Sequence, residues 1–144
     1  MNGKKSRARR SGSEFSKYDS EGRVISSTSV TTEGEIVRHF YKYDSLGRRI
    51  HYEKHIVLDS NRTGCIFKED TVYQQNGDIH KYSVDYKEKT ISYNLINDMG
   101  RVEKTVCSNY NTGRTTEKIY NYRTGKYEST SYPELFLRTD YMFI

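Results

Sequence analysis

Between positions 82 and 110 the apolar residues alternate with polar ones: Tyr82/Val84/Tyr86, then Ile91/Tyr93/Leu95, then Val102/Val106/Tyr110, with Ser, Lys, Thr or Asp at the intervening places. A period of two puts each set on one face of an extended strand. A helix fails on two counts: the sets do not recur at three and four, and a glycine interrupts nearly every window long enough for three helical turns. The glycines supply the punctuation. After Gly3 and Gly12 they fall at Gly22, Gly34, Gly47, Gly64, Gly77, Gly100, Gly113 and Gly125, with gaps of 12, 13, 17, 13, 23, 13 and 12. Each gap is one hairpin step or a multiple of it. The gap of 23 is two steps whose middle glycine is replaced by Lys87-Glu88-Lys89, and the gap of 17 holds a longer loop from Asp59 to Gly64. The spacing therefore predicts about nine turns and about ten strands.

The residues around the glycines agree. In Asp19-Ser20-Glu21-Gly22, Asp44-Ser45-Leu46-Gly47, Asn97-Asp98-Met99-Gly100 and Asn111-Thr112-Gly113, Asp or Asn opens the turn and Gly closes it. The opening side chain bonds the backbone two residues on, and Gly takes the left-handed conformation that a short loop needs. The fold class predicted is all-β: an antiparallel meander of about ten strands joined by glycine turns, as a curled or an open single-layer sheet.

Composition sharpens this picture. Only 33% of the 144 residues are hydrophobic, against about 45–50% in ordinary globular chains, so a thick core is not expected. Yet 14 Tyr and 5 Phe are too many for a chain that stays solvated, and rings must stand in for aliphatic residues. The net charge of +5 is local: Lys4, Lys5, Arg7, Arg9 and Arg10 supply it, and the remaining body is neutral. The organisation predicted is a disordered basic tail over 1–12, a β-hairpin repeat domain over 13–132, and a C-terminal aromatic segment over 133–144 that packs on the sheet or on a partner. No stretch approaches the roughly 18 apolar residues of a membrane span. The basic start lacks the apolar run of a signal peptide, because Ser11-Gly12-Ser13-Glu14 follows it. Cys65 and Cys107, 42 positions apart, fit neither a metal-ligand spacing nor a disulfide-dense secreted scaffold, which predicts reduced thiols and a cytoplasmic location.

The segments Tyr18-Asp19-Ser20-Glu21-Gly22-Arg23-Val24 and Tyr43-Asp44-Ser45-Leu46-Gly47-Arg48-Arg49-Ile50 stand 25 residues apart. This pair resembles the YD repeat of Rhs and teneurin-like proteins, whose pattern is Tyr-Asp, two residues, Gly-Arg and an apolar residue. Looser copies follow at Asn97-Asp98-Met99-Gly100-Arg101-Val102 and Tyr110-Asn111-Thr112-Gly113-Arg114. The resemblance implies a twisted antiparallel sheet of the kind that, in large relatives, spirals into a shell. The Asp-Pro-x-Gly-Leu sequence associated with self-cleavage is missing, since the single proline, Pro133, is followed by Glu134. The glycine-and-tyrosine hairpins are also similar to the short repeats of YwqK-type antitoxin and immunity proteins.

The function expected is non-enzymatic protein binding, with an immunity, antitoxin or toxin-associated role implied by the resemblance. Ten strands at about 4.8 Å each span on the order of 45 Å, and an open sheet of that width exposes more apolar surface than a soluble monomer usually tolerates. Tyr82, Tyr86 and Tyr93 are the candidate contact surface for a protein partner, toxin-like or a second copy; the alternative is that they form a cross-strand packing ladder. The other functional reading is a nucleic-acid binder that uses Lys4, Lys5, Arg7, Arg9 and Arg10. No catalytic residue, cofactor or metal is predicted. His39, His51, His55 and His80 are scattered, and His51 and His55 lie about 13 Å apart along an extended strand, so a shared ion would need ligands from neighbouring strands.

Overall fold

The computed structural model describes residues 8–11 and 14–133. Its strands are β1 (Ala8–Ser11), β2 (Glu14–Tyr18), β3 (Val24–Val30), β4 (Ile36–Tyr43), β5 (Arg49–Asp59), β6 (Arg62–Tyr73), β7 (Ile79–Asp85), β8 (Thr90–Ile96), β9 (Val102–Asn109), β10 (Thr115–Asn121) and β11 (Lys126–Tyr132). Sheet order follows chain order from β1 to β11, and no helix occurs among the described residues. This is the all-β antiparallel meander that the glycine spacing predicts, with nine turns joining the ten strands from β2 to β11. Ala8–Ser11, placed by the sequence reading in the basic tail, pair as β1 with Glu14–Tyr18. Residues 1–7 and 134–144 lie outside the described residues, and with them Lys4, Lys5, Arg7 and nearly all of the C-terminal aromatic segment.

Five of the turns share one hydrogen-bonding pattern. The Asp19, Thr31, Asp44, Gln74 and Asn97 amides donate to the carbonyls of Arg23, Glu35, Arg48, Asp78 and Arg101, and the glycine three places on donates back to the first residue. Such a loop needs its glycine left-handed, and Gly47 has φ +82° and Gly100 φ +86°. In the charged turn after β7, Lys89 takes the left-handed place with φ +62°, where the neighbouring steps use glycine. Gly64 departs from the expectation. It lies inside β6, and the reversal is made by Ser60 and Asn61 instead. Asp59 explains this: its Oδ1 accepts the Asn61 amide at 2.9 Å and its Oδ2 accepts Arg62 Nε at 2.7 Å, closing the turn before the glycine is reached.

The chain divides into two units, Met1–Ile66 and Phe67–Ile144. In the first, Val37 on β4 is the one buried aliphatic among the described residues. In the second, the buried residues Val84, Ile91, Ser108 and Thr115 form a single cross-strand row, because Val84 pairs with Ile91, Ile91 with Ser108 and Ser108 with Thr115. The two hydroxyls in the row satisfy each other at 2.6 Å, and Thr115 also donates to the Gly113 carbonyl at 3.2 Å. A buried hydroxyl without such a partner would cost about 1–3 kcal/mol.

Candidate functional site

The Asp-x-x-Gly-Arg turns are explained by local chemistry. Asp44 Oδ1 accepts the Leu46 and Arg48 amides at 3.0 and 2.9 Å, and its Oδ2 accepts Arg48 Nε at 2.8 Å. Asp19 does the same with Glu21 and Arg23. The backbone hydrogen bonds from Arg23 and Arg48 are the leading cause that holds both carboxyls below the usual carboxylate range. At the third copy, Asn97 Oδ1 accepts the Met99 and Arg101 amides without a charge. Beside these three copies the strand register slips by one residue, at Lys17/Tyr18, Lys42/Tyr43 and Leu95/Ile96. A bulge leaves backbone groups out of the ladder, and beside the first and third copies a tyrosine from a following strand supplies a partner. Tyr43 donates to the Val24 carbonyl at 2.7 Å while Arg23 lies over its ring, and Tyr127 donates to the Val102 carbonyl at 2.8 Å while Arg101 lies over Tyr120. Burial raises the Tyr43 hydroxyl above its usual range, so it stays a donor. These Asp, Arg and Tyr side chains are therefore occupied in holding adjacent hairpins together.

Tyr82 and Tyr93 are directly opposed across β7 and β8, with ring centroids 5.2 Å apart, and the Tyr93 hydroxyl shares a hydrogen bond with His80 Nδ1 at 2.7 Å. Both are half-buried. Tyr86 follows β7, with Lys68 Nζ 6.0 Å from its ring centre. Tyr82 and Tyr93 thus make the cross-strand ladder that period two allows, and Tyr86 stands apart from it. The same cluster occurs 41 residues earlier: Tyr41 and Tyr52 are opposed across β4 and β5 at 5.4 Å, and Tyr52 shares a hydrogen bond with His39 at 2.7 Å.

Four exposed apolar residues share one face in the first unit. Register places Phe15 opposite Thr28 and Thr28 opposite Arg38, while Lys17 faces Ser26 and Ser26 faces Phe40. Directly opposed residues share a face, so Phe15, Lys17, Arg38 and Phe40 stand together, joined by the opposed pair Val30 and Ile36. Phe15 is 39% exposed, Phe40 38%, Val30 45% and Ile36 41%. A shallow groove runs between the two phenylalanines, floored by Ser26 and Thr28 and walled by Lys17 and Arg38. The sequence reading missed this face because β4, Ile-Val-Arg-His-Phe-Tyr-Lys-Tyr, carries apolar residues on both alternate sets.

Further along the same face of β4, Phe40 and Lys42 lie opposite Glu53 and His51. Odd positions 51, 53 and 55 share one side of β5, and the Glu53 carboxylate sits between two imidazoles: His51 Nε2 is 2.6 Å from Oε2 and His55 Nε2 2.8 Å from Oε1. Hydrogen bonds from His55 first and His51 second lower the Glu53 carboxyl below its usual range. The Phe40 ring stands edge-on to His55 at 5.2 Å. A neighbouring strand adds Cys65, so that one ligating atom each from Glu53, His55 and Cys65 lie within 4.8 Å of one another. The two histidines that are about 13 Å apart along a strand thus converge through the carboxylate between them. Of the basic arm, Arg9 and Arg10 fall on β1.

Neither a family model nor a curated protein matches this chain. Among solved structures, it is similar to a protein with unknown function from Bacteroides fragilis NCTC 9343, at 14% identity and a TM-score of 0.35, over 70% of this chain and 94% of that one. Among the described residues no helix is long and apolar enough to cross a membrane.

Proposed function

We propose that the chain is a non-enzymatic protein-binding β-repeat module whose contact surface is the face of β2, β3 and β4 that carries Phe15 and Phe40. The observation behind this reading is the exposure of Phe15, Val30, Ile36 and Phe40 together on one sheet face. A contiguous apolar patch rimmed by polar groups is the usual mark of a protein interface, and large rings at its centre carry most of the binding energy. Lys17, Arg38 and Lys42 stand on the same side against one carboxylate, Glu53 opposite Phe40, so the partner that fits is a protein surface with apolar groups and acidic neighbours. The resemblance of the turns to YD and YwqK-type repeats supports a toxin-associated or immunity partner.

A second reading has its own observation. Two exposed rings with Lys17 and Arg38 beside them are also what a sheet offers to stacked bases and phosphates. Purification from the native host, with the natural chain and with a Phe15→Ser/Phe40→Ser variant, separates the two. The protein-binding reading expects a stoichiometric protein partner that is kept at moderate salt and lost, by tenfold or more in affinity, in the variant. Absorbance at 260 nm that high salt removes would replace it with the nucleic-acid reading. An identical partner held equally by both chains would move the contact surface elsewhere.

A further inference from the structure

We infer that Glu53, His55 and Cys65 form a binding site for a divalent transition metal of the zinc class, with His51 positioning the carboxylate. The inference rests on three features of the first unit and does not depend on the partner-binding reading, although Phe40 belongs to both. The first is convergence: the three ligating atoms already lie within 4.8 Å of one another. Two ligands of one tetrahedral ion, with bonds of about 2.0–2.3 Å, are roughly 3.3–3.8 Å apart, so a contraction of about 1 Å closes the site. The 2.8 Å hydrogen bond between His55 and Glu53 opens by about half an ångström as the ion takes its place.

The second feature is the donor set. One thiolate, one imidazole and one carboxylate suit zinc-like ions, whereas magnesium and calcium ask for oxygen alone. Three protein ligands leave a fourth position for water, the arrangement of an open site. On binding, the thiol proton leaves to solvent and the imidazole coordinates in its neutral form. The third feature is the support around the ligands. His51 holds the second oxygen of Glu53 at 2.6 Å, and Phe40 packs edge-on against the His55 ring. Such outer contacts fix the direction of a ligand and are worth about 10–100-fold in metal affinity. Arg38 and Lys42, opposite His55 and His51 on β4, are the nearby positive charges, and the two anionic ligands offset them.

Cobalt(II) added to the full, reduced chain is the probe, because thiolate coordination gives it an intense near-ultraviolet charge-transfer band. The expected result is saturation at one equivalent, displacement by zinc, loss of the band in Cys65→Ser and its retention in Cys107→Ser. His55→Gln and Glu53→Gln should weaken binding by at least tenfold, and His51→Gln by about tenfold. A measurement without mutation guards against variants that misfold: zinc should slow alkylation of Cys65 at least tenfold and leave Cys107, which accepts a hydrogen bond from Ser92, unchanged. Absence of saturable binding, a band that survives Cys65→Ser, or equal alkylation rates with and without zinc would overturn the site.

Discussion

The two units carry the same His/Tyr/Tyr cluster in unlike surroundings. In the first, His39, Tyr41 and Tyr52 sit under a cation, with Arg49 5.3 and 5.6 Å from the two tyrosine ring centres. In the second, the face that holds His80, Tyr82 and Tyr93 continues into the buried row of Val84, Ile91, Ser108 and Thr115. The turns on either side use the same Asp or Asn clamp. In the first unit the face of the cluster holds the buried Val37, two places before His39 on β4, but no cross-strand row of buried residues among those described. What differs is the sequence between the turns: the second unit sets aliphatic and small hydroxyl residues opposite one another in one row. The first sets Phe, Val and Ile, with Lys17 and Arg38, on the face opposite to its His/Tyr/Tyr cluster.

The largest expected effect sharpens that contrast directly. Ile91→Ala removes a fully buried side chain and should cost about 2–5 kcal/mol in urea unfolding, whereas Phe40→Ala, at an exposed ring, should cost about half as much or less. Equal losses would show that the first unit depends on its exposed face as much as the second on its row. Next come the glycines of corresponding turns. Gly22→Ala meets only the strain of a left-handed alanine, about 1–2 kcal/mol, because nothing lies within 4 Å of the new methyl. Gly77→Ala has the same strain and places its methyl 2.7 Å from Asp98 Cβ, so it should cost roughly 1 kcal/mol more. Thermal unfolding of the two variants side by side checks the order.

The smallest effect is electrostatic and distinguishes charged from neutral clamps. Asp19 and Asp44 titrate below their ordinary value of 3.8, so the folded chain binds fewer protons there than the unfolded chain. Their contribution is complete above about pH 4 and disappears as the pH falls through the lowered values. In an acid titration followed by amide proton shifts, Leu46 and Arg48 should move in that window, and Met99 and Arg101, bonded to neutral Asn97, should not. Titration of all four amides together would remove the clamp as the cause.

The strands were legible from the chain alone. Period-two alternation and left-handed glycines are properties of neighbouring residues, which is why nine turns and the all-β class were legible, and why Lys89 could be placed in a turn that lacks glycine. Gly64 misled for the same local reason: a glycine permits a turn but does not require one, and Asp59 with Asn61 closed the chain earlier. Only the tertiary structure decided the neighbours. The pairing of β2 with β3 and of β3 with β4 fixed which phenylalanines share a face, and that of β7 with β8 set Tyr82 against Tyr93 while Tyr86 stayed apart. The adjacency of β5 and β6 likewise carried Cys65 to Glu53 and His55 across ten and more positions of chain. A one-residue slip between strands would send every such side chain to the other face, and that choice is made by long-range pairing, which no short stretch of sequence contains.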